Sequence, residues 1–167
     1  MKLSALAPAV VLSALLAPAP ASSDPPADAR HALDFWLGDW DVFVGAEKAG
    51  TNRIEPVLGG AALLEHWHDA DGSEGKSFFY FLPAANRWKQ VWIEPPNVVK
   101  EKLSSPQPEG AVRFEGRVFL PDGRELPDRT TLLPLPDGRV RQVIELSRDG
   151  GRTWTVGFDA IYVRTKR

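Results

Sequence analysis

The chain has 167 residues, with 22 acidic side chains against 20 Lys and Arg, three histidines and no cysteine. The missing cysteine excludes disulfides, thiol catalysis, thiolate metal sites and a lipid on an N-terminal Cys. A formal charge of −2, with both signs dispersed along the chain, gives no basic face for nucleic acid.

Met1-Lys2, an apolar run over residues 3–16 and the small residues 17–21 are the parts of a secretory signal peptide. Two A-x-A sites end at Ala19 and Ala21; Pro20 would hinder the first, so cleavage is expected after Ala21. The run is shorter than the about 20 residues a membrane span needs, and no second run approaches that length. The expected product is an exported protein, periplasmic or extracellular, with no membrane insertion of the mature chain. Its remaining 146 residues suffice for one domain with an adequate core. Residues 22–30 are small, polar and Pro-rich and predict a flexible tether, leaving 31–167 as the folded domain. Residues 31–37 allow two helical turns that stop at Gly38.

Beyond Gly38 the pattern becomes short alternating runs. There are ten, over 39–44, 51–58, 62–69, 76–82, 87–94, 98–103, 111–120, 126–135, 139–147 and 153–164. Gly59-Gly60, Asp71-Gly72, Pro83, Pro95-Pro96, Asp122-Gly123, Asp137-Gly138 and Gly150-Gly151 break them. With 14 glycines and 15 prolines, long helices are excluded, and the spacing predicts an all-β sandwich or barrel. Period-2 alternation puts Glu65 and Trp67 on one face, with His66 and His68 on the other. Likewise Trp88, Gln90 and Trp92 share a face, opposite Lys89, Val91 and Ile93.

Phe35-Trp36-Leu37-Gly38-Asp39-Trp40-Asp41-Val42 resembles the opening of a family of secreted bacterial, lipocalin-like (calycin-type) proteins with no agreed activity. Later landmarks follow in the same order: Leu64-Glu65-His66-Trp67, Gly75-Lys76-Ser77, Trp88-Lys89-Gln90-Val91-Trp92, Val140-Arg141-Gln142 and Phe158-Asp159-Ala160-Ile161-Tyr162. The resemblance spans residues 34–164 and implies a single antiparallel barrel of about ten strands after a short helix. Gly38-Asp39-Trp40 also resembles the Gly-x-Trp that opens lipocalins. There, a basic residue of the last strand packs over the Trp; Arg164 fits that structural part.

A barrel of this size can enclose one small ligand between apolar walls and a few placed polar groups. The expected interior is Glu65, Trp67, Ser77, Trp88, Gln90, Trp92, Arg129, Gln142 and Tyr162. The indoles would stack a planar or partly apolar small molecule, oriented by Glu65, Gln90, Arg129 and Gln142. The catalytic alternative makes a buried Glu65 a general acid or base and Arg129 the stabiliser of a developing anion. A third alternative is an interaction module with a filled core.

Other motifs have simpler accounts. His66-x-His68 has ligand spacing but implies no third ligand, and both rings are expected at the surface. Residues 69–75 lack the spacing of a calcium loop and predict a hairpin turn. Ser147-x-Asp149-x-Gly151-x-Thr153-Trp154 is the Asp-box pattern of propeller proteins; one copy specifies a hairpin, not a glycosidase. No histidine lies on the last strands to hold haem, which leaves only Tyr162 as a possible iron ligand; no cofactor and no metal are indicated.

Overall fold

A computed structural model describes residues 29–166; the expected signal peptide and residues 22–28 of the expected tether lie outside them. Ala29 and Arg30 are docked on the barrel. Ala29 N donates to Asn86 Oδ1 at 3.1 Å, its carbonyl accepts from Trp88 Nε1 at 2.8 Å, and Arg30 lies 5.3 Å over the Phe81 ring. The two turns before the first strand are 3-10 turns, Ala29–His31 and Asp34–Trp36. A segment this short cannot offset helix nucleation by itself, and it is held by burying Leu33 and Trp36.

Ten antiparallel strands close into one barrel: β1 (Gly38–Val44), β2 (Glu47–Val57), β3 (Ala62–Asp69), β4 (Glu74–Leu82), β5 (Arg87–Glu94), β6 (Val98–Pro106), β7 (Val112–Phe119), β8 (Glu125–Pro134), β9 (Val140–Leu146) and β10 (Thr155–Arg164). Each strand pairs with its neighbours in sequence, and β1 pairs with β10, so no edge is left open. The hairpins follow the turn residues. Leu-Pro-Asp-Gly-Arg occurs at 120–124 and again at 135–139, and both copies fold alike. In each, the Asp Oδ1 accepts from the Arg backbone N–H at 3.1 Å, and the glycine has φ near +80° (83° and 79°), which favours Gly.

The interior is layered. At the end where the N-terminal turns enter, Leu33, Trp36, Trp40, Ile54, Phe79, Phe114, Leu132 and Val140 form an apolar plug. Trp36 packs edge-on to Phe79 at 5.6 Å and to Tyr162 at 6.2 Å. Trp40 Nε1 donates to Trp36 O at 2.9 Å. Arg164 stacks 4.3 Å over Trp40 and donates to Leu37 O, the structural pairing that the lipocalin resemblance implies. Above the plug the inward positions turn polar, and above those lies a cavity on the side of the β3–β4, β5–β6 and β9–β10 hairpins.

Candidate functional site

The alternation of β3 and β5 fixes the first walls. Glu65, Trp67 and Asp69 run up the inside of β3, and Gln90, Trp92 and Glu94 up the inside of β5. Gln142, Ile144 and Leu146 of β9 and Phe158 and Tyr162 of β10 complete that side. Together with Lys100 and Lys102 of β6 and Thr130 of β8, they enclose a cavity of about 280 Å³. This is the size of a small-molecule site, open at the end opposite the plug.

Two inward glycines make the aromatic wall possible. A Cβ on Gly50 would stand 2.8 Å from Trp67 Cη2, and one on Gly75 only 2.2 Å from Trp92 Cζ2. The benzo edge of each indole therefore occupies the space that a Cβ would take on the strand beside it. Trp67 also meets Phe158 edge-to-face at 6.1 Å.

The polar belt below is densely bonded. Asn52 Nδ2 donates to Glu65 Oε1 at 2.7 Å, Tyr162 Oη donates to Gln142 Oε1 at 2.8 Å, and Gln90 Nε2 donates to Ser77 Oγ at 2.9 Å. Lys102 Nζ donates to Thr130 Oγ1 at 2.6 Å and is ion-paired with Asp128, which Lys100 also approaches at 3.4 Å. Two lining residues each carry a buried atom without a protein partner, the Gln90 Oε1 acceptor and the Trp92 Nε1 donor. Such atoms are the exception in folded proteins and are normally matched by a ligand or solvent.

Burial sets the protonation states. Desolvation pushes Glu65 up, against the hydrogen bonds from Asn52 and Ser77 and the attraction of Lys102. Desolvation also lowers Lys102 to about 8, although Asp128 pulls the other way. The Tyr162 hydroxyl is pushed up by burial and stays a neutral donor.

Glu65 has a measurable consequence. The unfolded chain releases this proton near the ordinary carboxylate pKa of 4.5 while the folded chain keeps it, so Glu65 costs stability as pH rises above that value. Glu65→Gln is expected to gain stability relative to wild type as pH rises above 4.5 in thermal unfolding. An unchanged difference across that range would mean an ionised Glu65.

Seven of the nine expected interior residues meet around this cavity: Glu65, Trp67, Gln90, Trp92, Gln142 and Tyr162 line it, and Ser77 lies beneath, bonded to Gln90. Trp88 does not line it. That indole belongs to the plug, edge-on to Phe81 at 5.5 Å with its N–H on Ala29 O.

Arg129 is on the outside. Asp128 and Thr130 take the inward positions of β8, and Arg129 makes a bidentate pair with Glu145, at 2.7 and 2.8 Å, while stacking 4.2 Å over Trp154. It therefore pins the Asp-box hairpin. There Ser147 Oγ accepts from Gly151 N at 2.7 Å and Asp149 accepts from Thr153 N at 2.8 Å. An anion stabiliser at residue 129 is thus ruled out by position.

The residues not foreseen include Asn52, Lys100, Lys102, Asp128 and Thr130 of the polar belt and Asp69, Glu94 and Phe158 of the lining. On β6 the alternation alone puts Lys100 and Lys102 on one face. On β8 both faces carry leucines, Leu126 and Leu132 against Leu133, so only the cross-strand register separates Asp128 from Arg129.

The histidines stay outside. His66 Nε2 is 3.0 Å from Glu55 Oε1, and the His68 side chain is exposed. Residues 69–73 form a hairpin turn, closed by Asp69 N to Ser73 O at 2.9 Å. No family model matches the chain, and no curated protein matches it in sequence.

Proposed function

We propose that this protein is an exported barrel that binds one small, planar and partly apolar molecule, in keeping with its resemblance to secreted lipocalin-like proteins. The observation that carries the reading is an open-ended cavity of about 280 Å³ that sets Trp67, Trp92 and Phe158 beside the polar side chains of Glu65, Gln90 and Gln142. Stacking falls to Trp67, Trp92 and Phe158, and orientation to Glu65, Gln90 and Gln142. A filled interaction module would not hold this open volume.

The catalytic alternative retains one supporting observation, the upward shift of Glu65, which favours a neutral acid. With Arg129 outside, Glu65 alone of the two residues expected to carry catalysis faces the cavity, and Glu65→Gln separates the readings. Loss of a turnover would support an enzyme, whereas a moderate change in affinity supports a carrier.

Native mass spectrometry of protein purified gently from its own host tests the binding reading. A reproducible extra mass is expected, released on denaturation and lost in Trp92→Ala. An extra mass that persists in both Trp92→Ala and Trp67→Ala would count against this cavity as its place.

A further inference from the structure

The β6 wall of the cavity bears on the charge of its ligand. Lys100 and Lys102 are two residues apart on one strand, so both project inward, and both line the cavity. The carboxylate that meets them is Asp128, fully buried, in contact with Lys102 Nζ and 3.4 Å from Lys100 Nζ. The two ammonium groups share this one carboxylate within 4 Å, and the Lys100 side chain is only 18% exposed. A cation so far removed from water is costly unless paired. The other deep carboxyl is Glu65, and burial drives it toward its neutral form, so it is a poor counter-ion. Lys100 thus offers the cavity an ammonium group for one carboxylate.

We propose that the cavity takes a planar aromatic monocarboxylate, its carboxylate received by Lys100 and its ring laid against Trp67 and Phe158. The proposal rests on the binding reading above and adds the ligand's charge and direction. Asp69 and Glu94 stand among the lining residues at the strand ends that form the mouth. They oppose a second negative charge at the ligand's outer end, so the site favours a monoanion over a dianion.

Isothermal titration of the purified protein at pH 7 with 2-naphthoate, 2-naphthamide and 2,6-naphthalenedicarboxylate tests this. The probes share one ring and differ in charge. Naphthoate is expected to bind about tenfold more tightly than the amide, the effect of roughly one charge-assisted hydrogen bond, and more tightly than the dicarboxylate. Lys100→Gln keeps Asp128 paired with Lys102 and so leaves the fold intact. It should bring naphthoate down to the affinity of the amide while leaving the amide within about twofold. Equal affinities for naphthoate and amide, or a variant that weakens both alike, would overturn the anion site and leave the binding reading standing. Failure of all three probes to bind at millimolar concentration would overturn both.

Discussion

Replacing Asp128 by Ala is expected to lower the unfolding free energy by about 3–5 kcal/mol, the usual cost of removing one partner of a buried ion pair. Asp128 has no solvent exposure, and Lys102 beside it is 2% exposed. Without the carboxylate, the Lys102 ammonium keeps only the Thr130 hydroxyl as a partner. Its escape is to lose the proton, and with Asp128 in place burial has already brought it to about 8. Without Asp128 its pKa falls further. Between that lower value and the unfolded value of 10.5 the unfolded chain binds more protons, so the variant gains stability as pH rises. Wild type gains in the same way above about 8, so the deficit, read by urea unfolding, should shrink as pH rises toward about 8 and level off above it.

Two controls separate this from a general loss of charge. Asp128→Leu combined with Lys102→Met removes both members and should cost much less than Asp128→Ala alone. Asp159→Ala breaks a pair of better geometry, with Arg141 at 2.6 and 2.8 Å, but both side chains are more than 40% exposed. It should cost less than about 1 kcal/mol. Burial, not bond length, decides the ranking. A loss below about 1 kcal/mol for Asp128→Ala as well would mean that water reaches Lys102.

How far the sequence reaches is best seen strand by strand. β3 and β5 were legible because Trp-x-Gln-x-Trp and Glu-x-Trp mark one face as interior, and the bore of the barrel accommodates large flat side chains. Arg129 was misplaced because its strand carries apolar and polar residues on both faces; a one-residue shift of register exchanges them all. Trp88 was assigned to the inner face correctly but to the wrong depth. Periodicity reports which side of a strand a residue occupies, and depth along the bore depends on stagger between strands and on what plugs the end. The plug itself, with Leu33 and Trp36 under the strands, comes from a segment whose own pattern suggested only two turns of helix. Lys100 and Lys102 had a clear periodic signal, yet a lysine pair on a strand is ordinarily a solvated face. Only Asp128, brought to them across β7, makes them interior.

Trp40→Ala is expected to cost about 3–5 kcal/mol, the range for deleting a fully buried large aromatic. Trp40 is 1% exposed and makes three distinct interactions: packing on Tyr162 at 6.2 Å, a hydrogen bond from Nε1 to Trp36 O, and the stacked Arg164. Trp40→Phe retains a ring for Tyr162 and Arg164 but leaves the Trp36 carbonyl without its donor, and should lose about 1–3 kcal/mol. Near-equal losses for the two variants would assign the stability to the hydrogen bond, and a small loss for Trp40→Phe would assign it to packing. The same substitution bears on the cavity. Tyr162 rests on Trp40 from below and donates from above to Gln142, a lining residue. Loosening the plug therefore releases one side of the polar belt. Trp40→Ala should weaken naphthoate binding even under conditions where the variant remains folded, although Trp40 lines no part of the cavity. Unchanged affinity in the folded variant would show that the plug and the site are energetically separate.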